Sequence, residues 1–188
     1  AVNTHQRLHY VSIEQYPFFA DELERILPQS LLDSAQQIDF FKQYPRHIRG
    51  FHRILLDQGR VSLTLLFGAV HELLPEVRSS VDIWYLDGFS PQKNPDMWTE
   101  EVFSCCFNLS AKAGAVGSTY SSSSRVREGL EKAGFAVEKC KGFAGKREML
   151  RFNREAELKR RASDKRRVVV VGGGLAGITV AEACVRRN

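Results

Sequence analysis

The sequence has few cysteines and no pair of them at a metal-ligand spacing. Its four cysteines are Cys105, Cys106, Cys140 and Cys184, and no histidine accompanies them at a ligand spacing. A zinc site needs Cys or His ligands at short fixed spacings, and a disulfide framework is typical of small secreted domains. The pattern favours buried, reduced thiols, and no metal site is predicted.

The sequence also lacks the basic, apolar and small-residue series that is typical of a signal peptide. Only residues 168–185 (VVVVGGGLAGITVAEACV) approach the hydrophobicity of a membrane span, but they contain four glycines and Glu182. We therefore expect a cytoplasmic protein with no membrane partner. The hydrophobic fraction of 43% in 188 residues is sufficient for a folded core.

The net charge of +5 is unevenly distributed along the chain. Residues 139–167 contain twelve Lys/Arg and four acids, which is a local net charge of +8. Such a basic segment suits a polyanion such as RNA, and Lys141, Lys146 and Arg147 are the predicted RNA contacts. A solvated linker is an equally good interpretation of residues 154–167.

Segments with strand-like and helix-like patterns alternate along the chain. RLHYVSIE (7–14) alternates as a strand does, and PFFADELERIL (17–27) has the proline and the apolar spacing of a helix. The later predicted elements are strands at 59–68, 81–88 and 115–120, a short helix or turn at 69–77, helices at 99–114 and 121–134, and a closing hairpin. Residues 28–59 show no clear pattern. The alternation predicts an α/β fold with a mostly parallel sheet and an antiparallel C-terminal hairpin.

Two of the predicted strands end on an acidic residue, Glu14 and Asp87. Ligands of parallel sheets bind at the carboxyl ends of the strands, where an acid can accept hydrogen bonds from ribose hydroxyls. Gly88 lets the backbone turn sharply after Asp87, and a carboxylate there can orient or deprotonate an amine. The alternatives are a solvated glutamate at a strand end and an aspartate that caps a tight turn.

A rigid loop, FSPQKNPD, follows Asp87. Its two prolines, Pro91 and Pro95, fix the backbone at two points. They lower the entropy cost of holding Phe89, Asn94 and Trp98 around a substrate. The loop therefore predicts a substrate pocket beside Asp87, unless the prolines serve only to connect strand and helix.

A glycine-rich motif follows a run of four valines near the end of the sequence. In VVVVGGGLAG (168–177), the residues Gly172, Gly174 and Gly177 form GxGxxG between a predicted strand and a predicted helix. This context is the one in which a dinucleotide pyrophosphate binds at a helix N-terminus. The acid expected about twenty residues further on would lie beyond Asn188.

Five stretches together resemble the family of bifunctional tRNA 5-methylaminomethyl-2-thiouridine biosynthesis proteins. They are LHYVSIEQYPF (8–18), GFHRILLDQGRVSLTLLFG (50–68), WYLDGFSPQKNPDMW (84–98), SSSSRVREGLEKAGF (121–135) and KGFAGKREML (141–150). In this family a methyltransferase domain that uses S-adenosylmethionine precedes an oxidoreductase domain that uses FAD. The resemblance implies that the FAD domain removes the carboxymethyl group from 5-carboxymethylaminomethyluridine at the tRNA wobble position, and that the methyltransferase domain methylates the exposed amine.

The resemblance also implies roles for individual residues. Glu14 matches the acid that binds the ribose of S-adenosylmethionine, and Asp87 matches the active-site carboxylate. Residues expected to line the substrate pocket are Phe89, Pro91, Asn94 and Trp98. Gly172, Gly174 and Gly177 would bind the pyrophosphate of FAD, and the expected partner of a monomeric enzyme is tRNA.

The same resemblance divides the chain into a methyltransferase domain at 1–153, a basic linker at 154–166 and the start of an FAD-dependent domain at 167–188. The glycine-rich turn after the family's first strand should precede residue 1. We therefore expect a Rossmann-like methyltransferase sheet that lacks this strand and binds its donor poorly. Ala69 stands where the family has an acid for the adenine, and SSSS (121–124) and Gly145 are further departures.

Two other functions remain open from the sequence. The GxGxxG motif alone suits a flavin-dependent amine or amino-acid oxidase, although only eleven residues follow Gly177. The basic segment alone suits a non-enzymatic RNA-binding fragment, whose affinity would fall steeply with salt for any RNA.

Overall fold

The structure is a computed structural model, and it describes residues 7–27, 34–112, 114–142, 147–155 and the backbone of 165–171. Eight strands form one sheet in the order β2-β3-β1-β8-β4-β5-β7-β6. The strands are β1 (Arg7–Glu14), β2 (Gly50–Leu56), β3 (Val61–Phe67), β4 (Ile83–Leu86), β5 (Ala115–Thr119), β6 (Ala136–Lys141), β7 (Glu148–Arg154) and β8 (Lys165–Val171).

The centre of the sheet is parallel and its margins are antiparallel. Strands β3, β1, β8, β4 and β5 run in the same direction. At one margin β2 pairs antiparallel with β3, and at the other β7 runs antiparallel to both β5 and β6. This confirms the predicted α/β class with a mostly parallel sheet and an antiparallel C-terminal hairpin.

Helices cover both faces of the sheet. They are α1 (Ala20–Ile26), α2 (Ser34–Gln43), α3 (Val70–Leu73), α4 (Glu100–Leu109) and α5 (Ser124–Ala133). Helices α1 and α2 pack over one face through a cluster of Leu23, Leu27, Phe40 and Ile54. Helices α3, α4 and α5 pack over the other face, where the core contains Leu73, Phe103, Leu130 and the strand residues Trp84 and Phe152.

Polar groups in the core between β4 and α4 are hydrogen-bonded to one another. The indole nitrogen of Trp84 donates to the Ser110 hydroxyl over 2.8 Å, and that hydroxyl donates to the Cys106 carbonyl over 2.9 Å. Trp84 and Cys106 are fully buried, and burial raises the pKa of the Cys106 thiol. A buried indole without a partner would cost about 1–3 kcal/mol. In the described ranges, no three His, Cys, Asp or Glu side chains are grouped as metal ligands.

The structure adds two elements in the region where the sequence shows no clear pattern. Helix α2 lies at Ser34–Gln43, and β2 forms a hairpin with β3. The hairpin turn places Asp57 and Gln58 in the left-handed region, both at a φ of 53°. Gly59, also at positive φ, marks the end of this turn in the sequence, whereas the left-handed conformation of Gln58 has no local signal.

Strand β8 lies between β1 and β4 in the sheet. The sequence predicts a sheet that lacks its central strand, so the structure differs from this expectation. The backbone of β8 pairs in parallel with β1 on one side and with β4 on the other. The sequence-based division places this strand across the linker and the second domain. A run of valines suits a strand enclosed on both sides, and the edges of β1 and β4 supply its hydrogen bonds.

None of the helices in the described parts of the chain is long and apolar enough to cross a membrane.

Candidate active site

The two strand-ending acids flank the end of the same central strand. Val171, the last residue of β8, pairs with Ile13 of β1 and with Leu86 of β4. Glu14 and Asp87 directly follow those two residues. The structure therefore brings both predicted acids to the carboxyl edge of the sheet, where the ligands of such sheets bind.

The carboxylate of Glu14 is held by the turn that follows β1. Its Oε1 atom accepts a hydrogen bond from the backbone N–H of Tyr16 over 2.9 Å, and its backbone carbonyl accepts one from Gly68 over 2.9 Å. Gly68 has a φ of 147°, and a Cβ there would lie 2.9 Å from the Leu73 side chain. The positive φ favours glycine at this position, and the hydrogen bond of its N–H fixes the end of β1 against the end of β3.

Asp87 lies in a partly buried position near Glu14. Burial raises the pKa of its carboxyl group above the usual 3.8, and the negative charge of Glu14 raises it further. A carboxylate with a raised pKa is a stronger base than an exposed one. Asp87 thus has the electrostatic environment of a proton acceptor.

Two hydrogen bonds hold the backbone of the loop after Asp87. The Tyr120 hydroxyl donates to the Gly88 carbonyl, and the Trp98 indole nitrogen donates to the Phe89 carbonyl over 2.8 Å. Tyr120 directly follows β5, and Trp98 ends a short 3₁₀ helix at Pro95–Trp98. The loop is thus fixed from the neighbouring strand and from its own far end.

The predicted pocket residues differ in exposure. Phe89 is 69% exposed, while Pro91 and Asn94 are half-buried, so all three can offer surface to a substrate. Trp98 is only 1% exposed and packs in the core, with its ring 6.4 Å from that of Phe103. The structure places Trp98 beneath the loop as a support rather than in the pocket wall.

Gly88 is required by the packing beneath the loop. A Cβ at this position would lie 1.7 Å from the Met97 sulfur, and Met97 is itself buried. Any side chain at residue 88 would displace Met97 or the loop. Gly88 thus permits the loop to lie directly on the core.

Two of the predicted RNA contacts, Lys141 and Arg147, lie near the same edge of the sheet. Lys141 ends β6 and pairs in register with Glu148, the first residue of β7. Thr119 at the carboxyl end of β5 pairs with Leu150. The end of β6 and the start of β7 therefore lie at the edge that carries Asp87. Lys141 and Arg147 are exposed there, while Lys146 lies outside the described residues.

One position of the predicted donor site differs in chemistry from the family pattern. Ala69 follows the end of β3 and occupies the N-cap position of α3 without a side-chain hydrogen bond. The acid on α3, Glu72, forms an ion pair with Arg49. Residue 69 therefore provides no side-chain acceptor for an adenine.

These features define a class of protein. A parallel sheet covered by helices on both faces, with acids at the carboxyl ends of two strands beside the central one, is a nucleotide-binding α/β fold. The half-buried Glu14, with its carboxylate oriented by a backbone amide, suits the hydroxyls of a ribose. The raised pKa of Asp87 adds a base beside this position.

The chain belongs to the family of S-adenosyl-L-methionine-dependent methyltransferases, whose family model matches residues 33–155. The match includes Asp87, its loop, Tyr120 and the β6–β7 hairpin. It confirms the prediction of an enzyme that uses S-adenosylmethionine.

A curated relative agrees with this family, and a solved structure agrees with the fold. The chain is 44% identical over 194 residues to the tRNA 5-methylaminomethyl-2-thiouridine biosynthesis bifunctional protein MnmC of Ectopseudomonas mendocina (strain ymp), a match that covers 97% of the chain and 29% of the relative. The chain thus spans less than a third of that relative's length. The crystal structure of MNMC2 from Aquifex aeolicus matches with a TM-score of 0.61 and 24% identity, covering 85% of this chain and 48% of that one. This second match supports the fold.

The remaining predicted site residues are the three glycines of the FAD fingerprint. Gly172, Gly174 and Gly177 lie outside the described residues. The role of these glycines in binding FAD stays a prediction from the sequence.

Sequence reasoning missed one residue of the site, Tyr120. It is the last residue of the predicted strand 115–120, at the same sheet edge as Asp87, and that position is its only signal in the sequence. The hydrogen bond to Gly88 depends on the neighbouring positions of β4 and β5, which the sequence does not specify.

Proposed function

We propose that this protein methylates the amine of a 5-aminomethyl group on the wobble 2-thiouridine of tRNA, and that its product is 5-methylaminomethyl-2-thiouridine. Membership of the methyltransferase family and the relative's name support this proposal. The single structural observation that carries it is Asp87, a partly buried carboxylate of raised pKa at the end of β4.

The reaction requires an amine without its proton. S-adenosylmethionine supplies a methyl group on a positively charged sulfur, and the amine that accepts this methyl group must lose one proton. The carboxylate of Asp87 accepts this proton from the nitrogen, which leaves the nitrogen lone pair available for the new bond. Because burial and Glu14 both raise the pKa of Asp87, the carboxyl group holds the transferred proton better than an exposed one.

The loop after Asp87 contributes by positioning. Methyl transfer needs a nucleophile aligned with the bond that breaks, so a large part of the rate enhancement comes from holding the amine in place. Tyr120 and Trp98 fix the loop backbone at Gly88 and Phe89. The exposed ring of Phe89 then offers a flat apolar surface to the uracil ring, since bases stack on aromatic side chains.

We also propose the remaining parts of the activity implied by the resemblance. Glu14 would bind the ribose of the donor, and the GxGxxG motif would bind FAD in a second, oxidoreductase activity that removes the carboxymethyl group beforehand. The exposed Lys141 and Arg147 would contact the tRNA backbone. A monomer in the cytoplasm suits an enzyme with a tRNA substrate.

The deciding experiment is an assay of methyl transfer with the purified chain. The substrate is tRNA from cells that keep the oxidoreductase activity but lack the methyltransferase activity, so that its wobble base carries an unmethylated aminomethyl group. Mass spectrometry of the digested nucleosides should show a gain of one methyl group with the wild type and none with Asp87→Asn. If the wild type and Asp87→Asn both leave the wobble nucleoside unchanged, the proposal is wrong. Methylation at another nucleoside would show that the wobble nucleoside is not the substrate.

A further inference from the structure

A cavity of about 580 Å³ opens between the end of β5 and the start of β7. Its lining residues are Tyr120, Ser121, Ser122, Arg147 and Glu148. We propose that this β5–β7 cavity binds a backbone phosphate of the RNA substrate, next to the nucleotide that is methylated. The inference rests on the proposed function, because it assumes that the substrate is RNA.

The position of the cavity fits a neighbouring nucleotide. Tyr120 lines it and also donates its hydroxyl hydrogen bond to the Gly88 carbonyl, one residue after Asp87. The β5–β7 cavity and the Asp87 loop are therefore in direct contact through one side chain. A nucleotide whose base lies against Asp87 has its own phosphate or that of its neighbour within reach of this cavity.

The size of the cavity suits a small ligand group. Sites for small molecules and cofactors typically enclose about 300–1,000 Å³. The β5–β7 cavity falls in this range, so it has room for a phosphate with its ribose and ordered water. A single surface hydrogen bond to RNA would not need a cavity of this volume.

A buried hydroxyl group in the cavity, that of Ser121, has no partner among the described residues. Ser121 is only 7% exposed and lines the cavity. Its backbone N–H donates to the Thr119 hydroxyl, but its side chain makes no hydrogen bond to any residue that the structure describes. Buried polar groups are nearly always hydrogen-bonded, so this hydroxyl indicates a ligand or water in the cavity.

The charges around the cavity favour an anion. Arg147 is exposed at its edge and forms no ion pair with any described residue, so its guanidinium can bind a phosphate. Glu148 carries the opposite charge, but the Lys139 ammonium lies 3.2 Å from its carboxylate. The ion pair offsets that negative charge, and Arg147 then dominates the local potential.

The start of α5 adds a second attraction for an anion. Ser122 immediately precedes Ser123, the N-cap of this ten-residue helix. Backbone N–H groups at a helix N-terminus and the helix dipole both favour a negative group. The first turn of α5 has no acidic residue, so these N–H groups have no carboxylate on their own helix as a competing partner.

The test compares two variants in the cavity with two matched controls. Arg147→Gln removes the guanidinium, and Arg151→Gln removes an exposed one further along β7, outside the cavity. Ser121→Ala removes the unpartnered hydroxyl, and Ser62→Ala removes a hydroxyl of a serine with the same 7% exposure in β3. Binding to an anticodon stem–loop RNA is measured at several salt concentrations, and methyl transfer is measured with tRNA and with the free nucleoside 5-aminomethyluridine.

We expect Arg147→Gln to weaken RNA binding roughly tenfold and to lower the salt slope by about one phosphate contact. Ser121→Ala should weaken binding by about threefold, the order of one neutral hydrogen bond. In methyl transfer both variants should raise KM for tRNA at unchanged kcat, and neither should alter the kinetics with the free nucleoside, which has no phosphate. The control variants should match the wild type in both assays.

Two results would overturn the inference. One is equal RNA binding and equal salt slope for Arg147→Gln and Arg151→Gln. The other is an equal loss of activity with tRNA and with the free nucleoside, since the cavity would then act without a phosphate. The wild type could also bind the stem–loop with the expected effects of the variants but methylate no tRNA. This result would support phosphate binding in the cavity and contradict the proposed reaction, so the experiment distinguishes the two proposals.

Discussion

Glu14 raises the pKa of Asp87, although the two residues follow strands that do not touch each other. Strand β8 lies between β1 and β4, so the two strand ends are on the order of 10 Å apart. Like charges at this distance still interact where water is partly excluded. The acid that ends β1 thus raises the pKa of the acid that follows β4.

Replacing Asp87 by Asn should abolish most activity and slightly stabilise the fold. Loss of the base should lower kcat by roughly 10²–10⁴-fold. Because the folded state raises the pKa of Asp87, the ionised carboxylate disfavours folding at neutral pH, and the variant should gain less than about 1 kcal/mol. The gain should shrink as the pH falls through the folded pKa and vanish below 3.8, where the group is protonated in both states. Denaturant unfolding at several pH values measures it, with the exposed Asp96→Asn as control.

The Glu14→Gln variant should change the pH profile of methyl transfer at saturating donor. Asp87 must be ionised to accept a proton, so activity falls as the pH falls through its pKa. Removing the charge of Glu14 removes one of the two causes that raise this pKa, so the acidic limb of the profile should move to lower pH. An acidic limb that stays in place in this variant would show that Glu14 does not act on the catalytic base.

The Tyr120→Phe variant should weaken the attachment of the Asp87 loop and leave the aromatic ring in its place. It keeps the ring and removes the hydroxyl that donates to the Gly88 carbonyl. One such hydrogen bond contributes about 1 kcal/mol, so we expect kcat/KM to fall roughly fivefold. The matched control is Tyr44→Phe, which removes a tyrosine hydroxyl bonded over 2.9 Å to the Phe18 carbonyl. If both variants lose the same amount of activity, the Tyr120 hydrogen bond has no special role.

The Val169→Pro variant tests the central position of β8. Proline has no N–H and cannot be accommodated in a strand paired on both sides, and Val169 pairs with Val11 and with Trp84. We expect a loss of at least about 3 kcal/mol in the free energy of unfolding. Hydrogen exchange should show reduced protection in β1 and β4, whereas Val169→Thr, which keeps the N–H, should retain it. Unchanged protection in the proline variant would place β8 elsewhere.

Tyr44 should titrate far above the usual range. Burial and the charge of Glu14 raise its pKa from 10.0 to about 12. The unfolded chain therefore loses this proton near pH 10 while the folded chain retains it, so stability should decline as the pH rises from 10 to 12. Ultraviolet titration of the phenolate against Tyr44→Phe isolates this group, and a midpoint near 10 would contradict the structure.

The sequence predicts the elements whose signals are local. RLHYVSIE alternates, and the structure has β1 at the same residues, with Leu8 and Tyr10 buried. The helix before Gly134 was recognisable from its serine cap and its glycine end, and Gly134 adopts the left-handed conformation of a C-cap. The position of Asp87 at a strand end follows from the same kind of pattern.

The remaining features depend on contacts between distant segments. No local pattern indicates that Trp98 turns into the core beneath Phe89, because its burial depends on helix α4 and on Phe103. The same holds for the β5–β7 cavity, since Ser121 and Arg147 meet only after the hairpin has paired with β5. The valine run predicts a strand, but its neighbours are set by the open edges of β1 and β4.

The position of β8 also dictates an order of events during synthesis. Arg7 is made well before Lys165, its partner in the sheet. Strand β1 must therefore wait, with one edge unpaired, until β8 has been made, and closing so long a loop slows folding. An exposed strand edge invites pairing with other chains, so the nascent protein is most prone to aggregation during this interval.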